Sequence, residues 1–431
     1  MKNFFKFAER NTTYKRETIA GITTFLSIAY ILIVNPHILA QSGMDQGAVF
    51  TATALTAIIG TLLMAILANF PIAIAPSMGL NSIFTFSICI GMGIRWEVAL
   101  TGVFIAGVIF MILSVLKIRE KIINIIPKDL KFAIAAGIGF FITFIGLKNG
   151  GIIVGNKDTF VSIGNLTSPM TLLAILGLVI TVILLVRGIN GGIFYGMVIT
   201  TIVGMFCGLI EVPTSIIGSI PSLEPTFGVV FSHFGDVFNI EMVTAIFTFL
   251  IVAFFDTAGA LIGLTSQAGM MKDNKIPNIG KGLLADSTAG AIGAVLGTST
   301  PATSVESSAG IALGGRTGFT AIVIAICFAI AMFFSPLVNI ISVEVTSAAL
   351  IIVGSLMAME IRRIDWSKLE IVIPAFLTII MMPLTSSVAI GIGVGFIFYP
   401  ICLAAQKRFK EIHPIMYVLC ILFILYFAFI L

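Results

Sequence analysis

Asn81 and Glu306 are the two polar residues around which this chain repeats itself. Each lies five positions after a proline, Pro76 and Pro301, and each is followed by a serine, Ser82 and Ser307. The two copies stand 225 residues apart, both inside strongly apolar sequence. A carboxylate and a carboxamide at equivalent places can accept and donate hydrogen bonds to one flat polar ligand held between them. Paired, proline-interrupted polar segments in corresponding positions of two halves are the sequence pattern of a membrane transport site. Asp256, inside the run Ile251 to Ala260, and Asp286 are the other carboxylates set among apolar residues. A charge near the bilayer centre costs about 3 kcal/mol even on lenient insertion scales, so such groups face a cavity, a partner or a proton path. For Asp286, followed by Ser-Thr-Ala-Gly and close to Lys281, a structural role in holding neighbouring backbone stays as open as a functional one.

The elements that must position these residues are membrane helices. With 58% hydrophobic residues, 10% charged residues and a mean hydropathy of +1.14, the chain has too little polar surface to coat a soluble globule of 431 residues. Basic residues Lys2, Lys6, Arg10, Lys15 and Arg16 precede a long apolar stretch with no small-residue cleavage site, so the first helix is expected to stay in the membrane. By the rule that a span needs roughly 20 apolar residues, the first half offers 17–37, 47–69, 77–91, 97–116, 132–149, 168–186 and 190–210. The second offers 241–265, 282–298, 303–314, 318–338, 345–359, 369–384, 386–405 and 413–430, the last an addition unless 369–405 is a partial or V-shaped pair. The short 77–91 and 303–314, rich in glycine and serine, suit half-helices buried in protein.

Further matches join Thr24-Phe25-Leu26 to Thr248-Phe249-Leu250 and Gln41 to Met44 with Gln267 to Met270, so the chain reads as one unit written twice. A unit with an odd number of spans is inverted in its second copy. With a cytoplasmic N-terminus, 21 of the 24 basic residues fall on the cytoplasmic side, leaving only Arg95, Lys148 and Lys157 outside. The loop 211–240, with Glu211, Glu224 and Asp236 and no Lys or Arg, then lies outside. This bias accounts for the net charge of +4, and no basic and aromatic interleaving calls for nucleic acid. The five cysteines lie in apolar segments without metal-ligand or paired spacing and are expected to be buried small hydrophobes. No metal-spaced histidines, Gly-x-Ser-Gly serine site or phosphate-cradling loop is present, and no cofactor is expected.

Proline bars helical geometry in its predecessor, so the chain at Pro301 should be extended with a helix starting just beyond it. Glu306 is then expected in the first turns of a short helix, near its positive end. Asn81 should match it, and glycines 79, 310, 314 and 315 would permit close approach, of ligand or of neighbouring helices. Phe254 or Phe255 could stack on a ring or simply pack. Tyr30 is a further candidate, and His37, beside Pro36, is expected at the membrane interface. A carboxyl group in a low-dielectric site holds a proton more readily than one in water, so Glu306 or Asp256 could carry a coupling proton.

At Ala75 to Thr85, Phe254 to Gly263 and Ala285 to Gly310 the sequence resembles the nucleobase-cation symporter-2 (nucleobase/ascorbate transporter) superfamily, in its AzgA-like purine permease branch. The resemblance implies an all-α polytopic membrane protein of about fourteen transmembrane segments in a seven-plus-seven inverted repeat. It implies a core domain from 1–117 and 241–338 and a gate domain from 118–211 and 339–431, with two short mid-membrane strands at Ile72 to Ala75 and Gly297 to Thr300. It implies substrate contacts from Asp256, Glu306 and Asn81, to which Ser82, Phe255, Ser304, Ser307 and Tyr30 are added as neighbours. The histidine that related uracil branches carry four residues after the first acid is Ala260 here, in line with a purine substrate. The implied protein is a plasma-membrane importer of adenine, guanine or hypoxanthine, with proton or Na⁺ symport and a homodimeric assembly. Two rivals are an anion transporter of sulfate or bicarbonate type, against which an acid at 306 argues, and an intramembrane aspartyl protease using Asp256 and Asp286. The protease signature Gly-x-Gly-Asp is absent, the second acid reading Leu284-Ala285-Asp286.

Overall fold

The computed structural model describes residues 4–116, 127–213, 215–270 and 276–429. Lys117, Arg119, Lys121, Lys272 and Lys275, expected in cytoplasmic loops, lie outside the described residues. In the first half the chain forms α1 (Tyr14–Ile28), α2 (Ile31–Ala40), α3 (Gln46–Leu63), β1 (Ile74–Pro76), α4 (Met78–Ser82), α5 (Trp96–Val115), α6 (Lys128–Asn149), β2 (Ile153–Asn156), β3 (Phe160–Ile163), α7 (Pro169–Val186) and α8 (Gly192–Phe206). The second half forms α9 (Ile240–Gln267), α10 (Ile279–Leu296), β4 (Pro301–Thr303), α11 (Ser307–Ala312), α12 (Gly318–Ala331), α13 (Ser335–Ile340), α14 (Val343–Ala358), α15 (Leu369–Thr385), α16 (Val388–Ala405) and α17 (Pro414–Phe429). Short polar residues start these helices where backbone N–H groups need acceptors: Asp45 caps α3 through Ala48 N at 2.7 Å, and Asn239 caps α9 through Met242 N at 2.7 Å.

Eight helices among the described residues are long and apolar enough to cross a bilayer by length and composition, and five shorter ones are apolar. The stretch 369–405 is two helices, α15 and α16, that pack against each other and turn at Ser386, whose φ is +52°. The apolar α17 lies against α16. Helices α1 to α5 pack with α9 to α12, whereas α6 packs against α14, α15 and α16, and α14 also against α7 and α8. The hairpin β2–β3 is an addition to the expected elements; Lys157-Asp158-Thr159 form its turn, in which Asn156 Oδ1 accepts from Asp158 N at 2.8 Å and Thr159 N at 3.1 Å. Cys207 departs from the expected burial: it follows the last turn of α8 and is exposed.

The mid-membrane strands exist, displaced from their expected limits. Gly297 has φ of +103° and closes α10, so the chain becomes a strand only at Pro301. β1 and β4 pair antiparallel with Pro76 opposite its repeat counterpart Pro301, as expected where a two-fold axis passes through the ladder at that pair. Ser77 N donates to Thr300 O at 3.3 Å and Ser304 N to Ala73 O at 3.0 Å. These two bonded pairs leave Pro76 and Pro301 in a pair that exchanges no N–H···O bond, so neither missing N–H is felt. Asn35, fully buried on α2, donates to Thr298 Oγ1 at 2.9 Å and Thr53 Oγ1 at 2.6 Å, fixing the approach to β4. The loop 211–240 also docks here: Gly228 N donates to Val295 O at 2.8 Å and Thr226 Oγ1 to Leu296 O at 3.1 Å.

Glu17, in the first turn of α1, is fully buried and was not among the intramembrane acids the sequence singled out. Its carboxylate accepts from Arg316 N at 3.0 Å, Thr317 N at 3.2 Å, Thr317 Oγ1 at 2.9 Å and Thr320 Oγ1 at 2.5 Å, closing the start of α12. Removing it strands several buried donors at once. Glu17→Ala should lower stability by about 3 kcal/mol, read as a fall in apparent melting temperature of the detergent-purified protein; an unchanged melting curve would deny the carboxylate this role.

Candidate functional site

The strand crossing starts two short helices in the middle of the molecule, and the acids gather around those starts. Glu306 immediately precedes α11 with helical backbone angles and is half-buried. Tyr30, buried at the break between α1 and α2, donates its hydroxyl to Glu306 Oε1 at 2.7 Å. Asp256, half-buried within α9, accepts at Oδ2 from Ser77 Oγ at 2.6 Å. The two acids are within electrostatic reach of each other. Each carboxylate of the second half is thus gripped by one hydroxyl of the first. Bonds this short to an ionised acceptor are among the stronger hydrogen bonds a side chain makes.

The expected equivalence of Asn81 and Glu306 holds in sequence and breaks in geometry. On the first side Asn81 N donates to Ser77 O at 2.8 Å, an α-type bond, so α4 begins at Met78 and Asn81 lies a turn inside it. On the second side Ser307 N bonds Ser304 O at 3.1 Å and Ser308 N bonds Val305 O at 3.0 Å, a tighter turn that delays α11 and leaves Glu306 ahead of it. Asn81 is fully buried and accepts from Ser299 Oγ. Its Nδ2 has no hydrogen-bond partner among the described residues.

The remaining candidates fall in different places. Ser307 is fully buried and its Oγ accepts from Ala73 N at 3.0 Å, tying α11 to the strand crossing. Ser304 is half-buried beside Glu306, while Ser82 is buried with its hydroxyl unpartnered among the described residues. The side chain of Phe255 lies outside the described residues; the adjacent Phe254 stacks on Phe110 of α5, with centroids 6.3 Å apart. A Cβ at Gly310 would meet Thr24 Oγ1 and Ala20 O, and at Gly314 (φ +100°) it would meet Arg16, so these glycines admit α1. His37 is buried, with Nδ1 2.8 Å from Ile33 O and Nε2 2.5 Å from Ile341 O. Ser77 was missed because Pro-Ser-Met-Gly reads as a plain helix start.

Asp286 resolves toward the structural reading. It is buried on α10 and accepts from Thr257 Oγ1 at 2.8 Å, one residue along α9 from Asp256. Asp286→Ala leaves the Thr257 hydroxyl without this acceptor and should cost about 1–3 kcal/mol. In the same melting assay Asp256→Asn should stay near the parent; equal losses for both would erase the distinction.

The sequence profile described as "Permease family" matches residues 15–429. The chain is 55% identical over 438 residues to the guanine/hypoxanthine permease PbuG of Bacillus subtilis (strain 168), covering 100% of both chains. It is 39% identical to the adenine permease AdeP of Escherichia coli (strain K12), covering 100% of this chain and 96% of that one. Among solved structures, the transmembrane domain of the cyanobacterial bicarbonate transporter BicA superposes with a TM-score of 0.64 at 15% identity, covering 91% of this chain and 97% of that one. That last likeness is one of fold.

Proposed function

The chain belongs to the permease family, a group of transporters rather than enzymes, and on that premise we propose that it carries purine nucleobases across the plasma membrane by cation symport, with protons as the coupling ion. The observation that carries the reading is the pair of second-half acids, Asp256 and Glu306, each held by a single first-half hydroxyl beside the strand crossing. A purine presents ring and exocyclic N–H donors along its edge, and carboxylate oxygens are the acceptors that match them. Relatives of closely similar sequence and length, named as guanine/hypoxanthine and adenine permeases, support the same class.

In this reading α1 to α5 with α9 to α12 form a core that carries the site, and α6 to α8 with α14 to α17 form a gate against which it moves. Substrate binds where Asp256 and Glu306 meet the core's boundary with the gate. Two acids within electrostatic reach repel when both are ionised, and a proton taken by one of them relieves that repulsion. Proton arrival and base binding are coupled by this shared site. Two copies associate through the gate, and the N-terminus is cytoplasmic.

The fold likeness to a bicarbonate transporter favours anion transport as the second reading. Two carboxylates at the strand crossing oppose it, because they repel an anion at the place where the fold offers helix starts.

A labelled-substrate panel in a host lacking its own nucleobase permeases decides between them. Hypoxanthine, guanine or adenine uptake should be blocked by the other purines and little affected by uracil or sulfate; sulfate uptake without purine uptake would sink the proposal. Glu306→Gln keeps the size and removes the charge, so it should abolish pH-driven accumulation while leaving membrane levels near those of the parent. Accumulation equal to the parent's, with the same dependence on external pH, would move the coupling role to Asp256. For orientation, single cysteines placed at 219–222 should react with an impermeant reagent from outside and one at 316 only after permeabilisation.

A further inference from the structure

We infer that Ser77 is a positioning residue for Asp256, and that it, not Asn81, is the group at the start of α4 that sets how this carboxylate meets a bound base. The inference rests on the purine reading given above and adds a residue to it. Ser77 Oγ lies 2.6 Å from Asp256 Oδ2, across 179 residues of sequence.

The place of Ser77 in the chain calls for a different bond. It precedes Met78, the first residue of α4, with extended backbone angles (φ −86°, ψ 129°), which is the N-cap position. A serine there ordinarily turns its oxygen back to accept from the second or third N–H of its own helix. Ser77 makes no such side-chain bond. Its hydroxyl is directed at an acid from the other half of the chain, so its contribution to helix α4 is not what fixes its identity.

Its backbone gives that hydroxyl a fixed origin. Ser77 N donates to Thr300 O at 3.3 Å, extending the strand ladder, and Ser77 O accepts from Asn81 N at 2.8 Å. Strand crossing and helix start both hold it. The acid that it grips is half-buried on α9, and it is held there through Oδ2 by Ser77.

Repeat symmetry shows why the position matters. Tyr30 and Asp256 stand 226 residues apart, the same separation as Gln41 and Gln267, and Asn81 and Glu306 stand 225 apart. The contact of Tyr30 with Glu306 therefore has an image in which Asp256 meets Asn81. Asn81 is instead buried against Ser299, and Ser77, one turn earlier, takes the contact. The repeat counterpart of Ser77 is Ala302, which has no hydroxyl. Ser77 is thus a one-sided feature added to a two-fold scaffold at the point where the ligand would be read.

The test is initial-rate uptake of labelled hypoxanthine by Ser77→Ala, Ser77→Thr and Ser77→Cys in a host without its own permeases, with surface level and melting temperature measured alongside. Ser77→Ala should raise KM about tenfold, the worth of one hydrogen bond to a charged group, with maximal rate and surface level close to the parent. Ser77→Thr, which keeps the hydroxyl, should restore KM. Should Ser77→Ala not reach the membrane, Ser77→Cys, a weaker donor, must give a raised KM at normal surface level. A parent-like KM in Ser77→Ala or Ser77→Cys, or a fall in melting temperature with KM unchanged, overturns the inference while purine transport by the parent leaves the broader reading standing. A parent that takes up no purine overturns both.

Discussion

Backbone that is neither helix nor paired strand has no water to bond with inside a bilayer, and the arrangement around Asp256 and Glu306 follows from how this chain meets that constraint. The non-helical stretches ending α3 and α10 satisfy one another through β1 and β4, with added bonds from Ser77 N, Ser304 N and Ala73 N. The prolines that interrupt the helices fall where the ladder needs no donor. Two helices can consequently begin at mid-depth, one from each half. Those starts bring Ser77 to the middle of α9 and Glu306 to the break at Tyr30.

An acid inside the membrane is not in itself a mark of function, and this chain shows how to tell the kinds apart. Glu17 has no exposed surface and receives four donors, two of them backbone N–H groups that open α12. Such a carboxylate has no capacity left for a ligand. Asp286 is buried between α10 and the Thr257 hydroxyl. Asp256 and Glu306 differ from both in exposure: each accepts from a side-chain hydroxyl and keeps some accessible surface. Oxygen that is held in place yet not fully occupied is what binding a polar edge requires.

Much of this was legible in the residues themselves. The spans follow from apolar length, the repeat from Pro76 with Asn81 against Pro301 with Glu306, and the three acids Asp256, Asp286 and Glu306 from their surroundings. What was not legible depends on angles that sequence spacing does not carry. Whether a helix starts two residues or six after a proline decides that Asn81 is buried while Glu306 is not, and both starts are compatible with the same repeat. Glu17 sits beside a basic flank where a charge is ordinary, so nothing local reveals that the start of α12, 300 residues later, folds onto it. Ser77 carried the signal of a helix cap, a true statement about its position that conceals where its hydroxyl points.

The departures from symmetry are the informative part of a repeated fold. A two-fold scaffold offers the same groups twice, but a ligand without a two-fold axis is read only by a site whose two sides are chemically different. Here the first half supplies the donors, Tyr30 and Ser77, and the second supplies the acceptors, Glu306 and Asp256. The scaffold, by contrast, remains matched at its centre, where Pro76 faces its repeat counterpart Pro301. Symmetry is kept where backbone must be satisfied and given up where side chains face the site. Divergence confined in this way lets one half's hydroxyls hold the other half's acids, so that any movement separating the halves at the strand crossing must also loosen the carboxylates. The strand pair that solves the backbone problem is thereby also what keeps the acids in position.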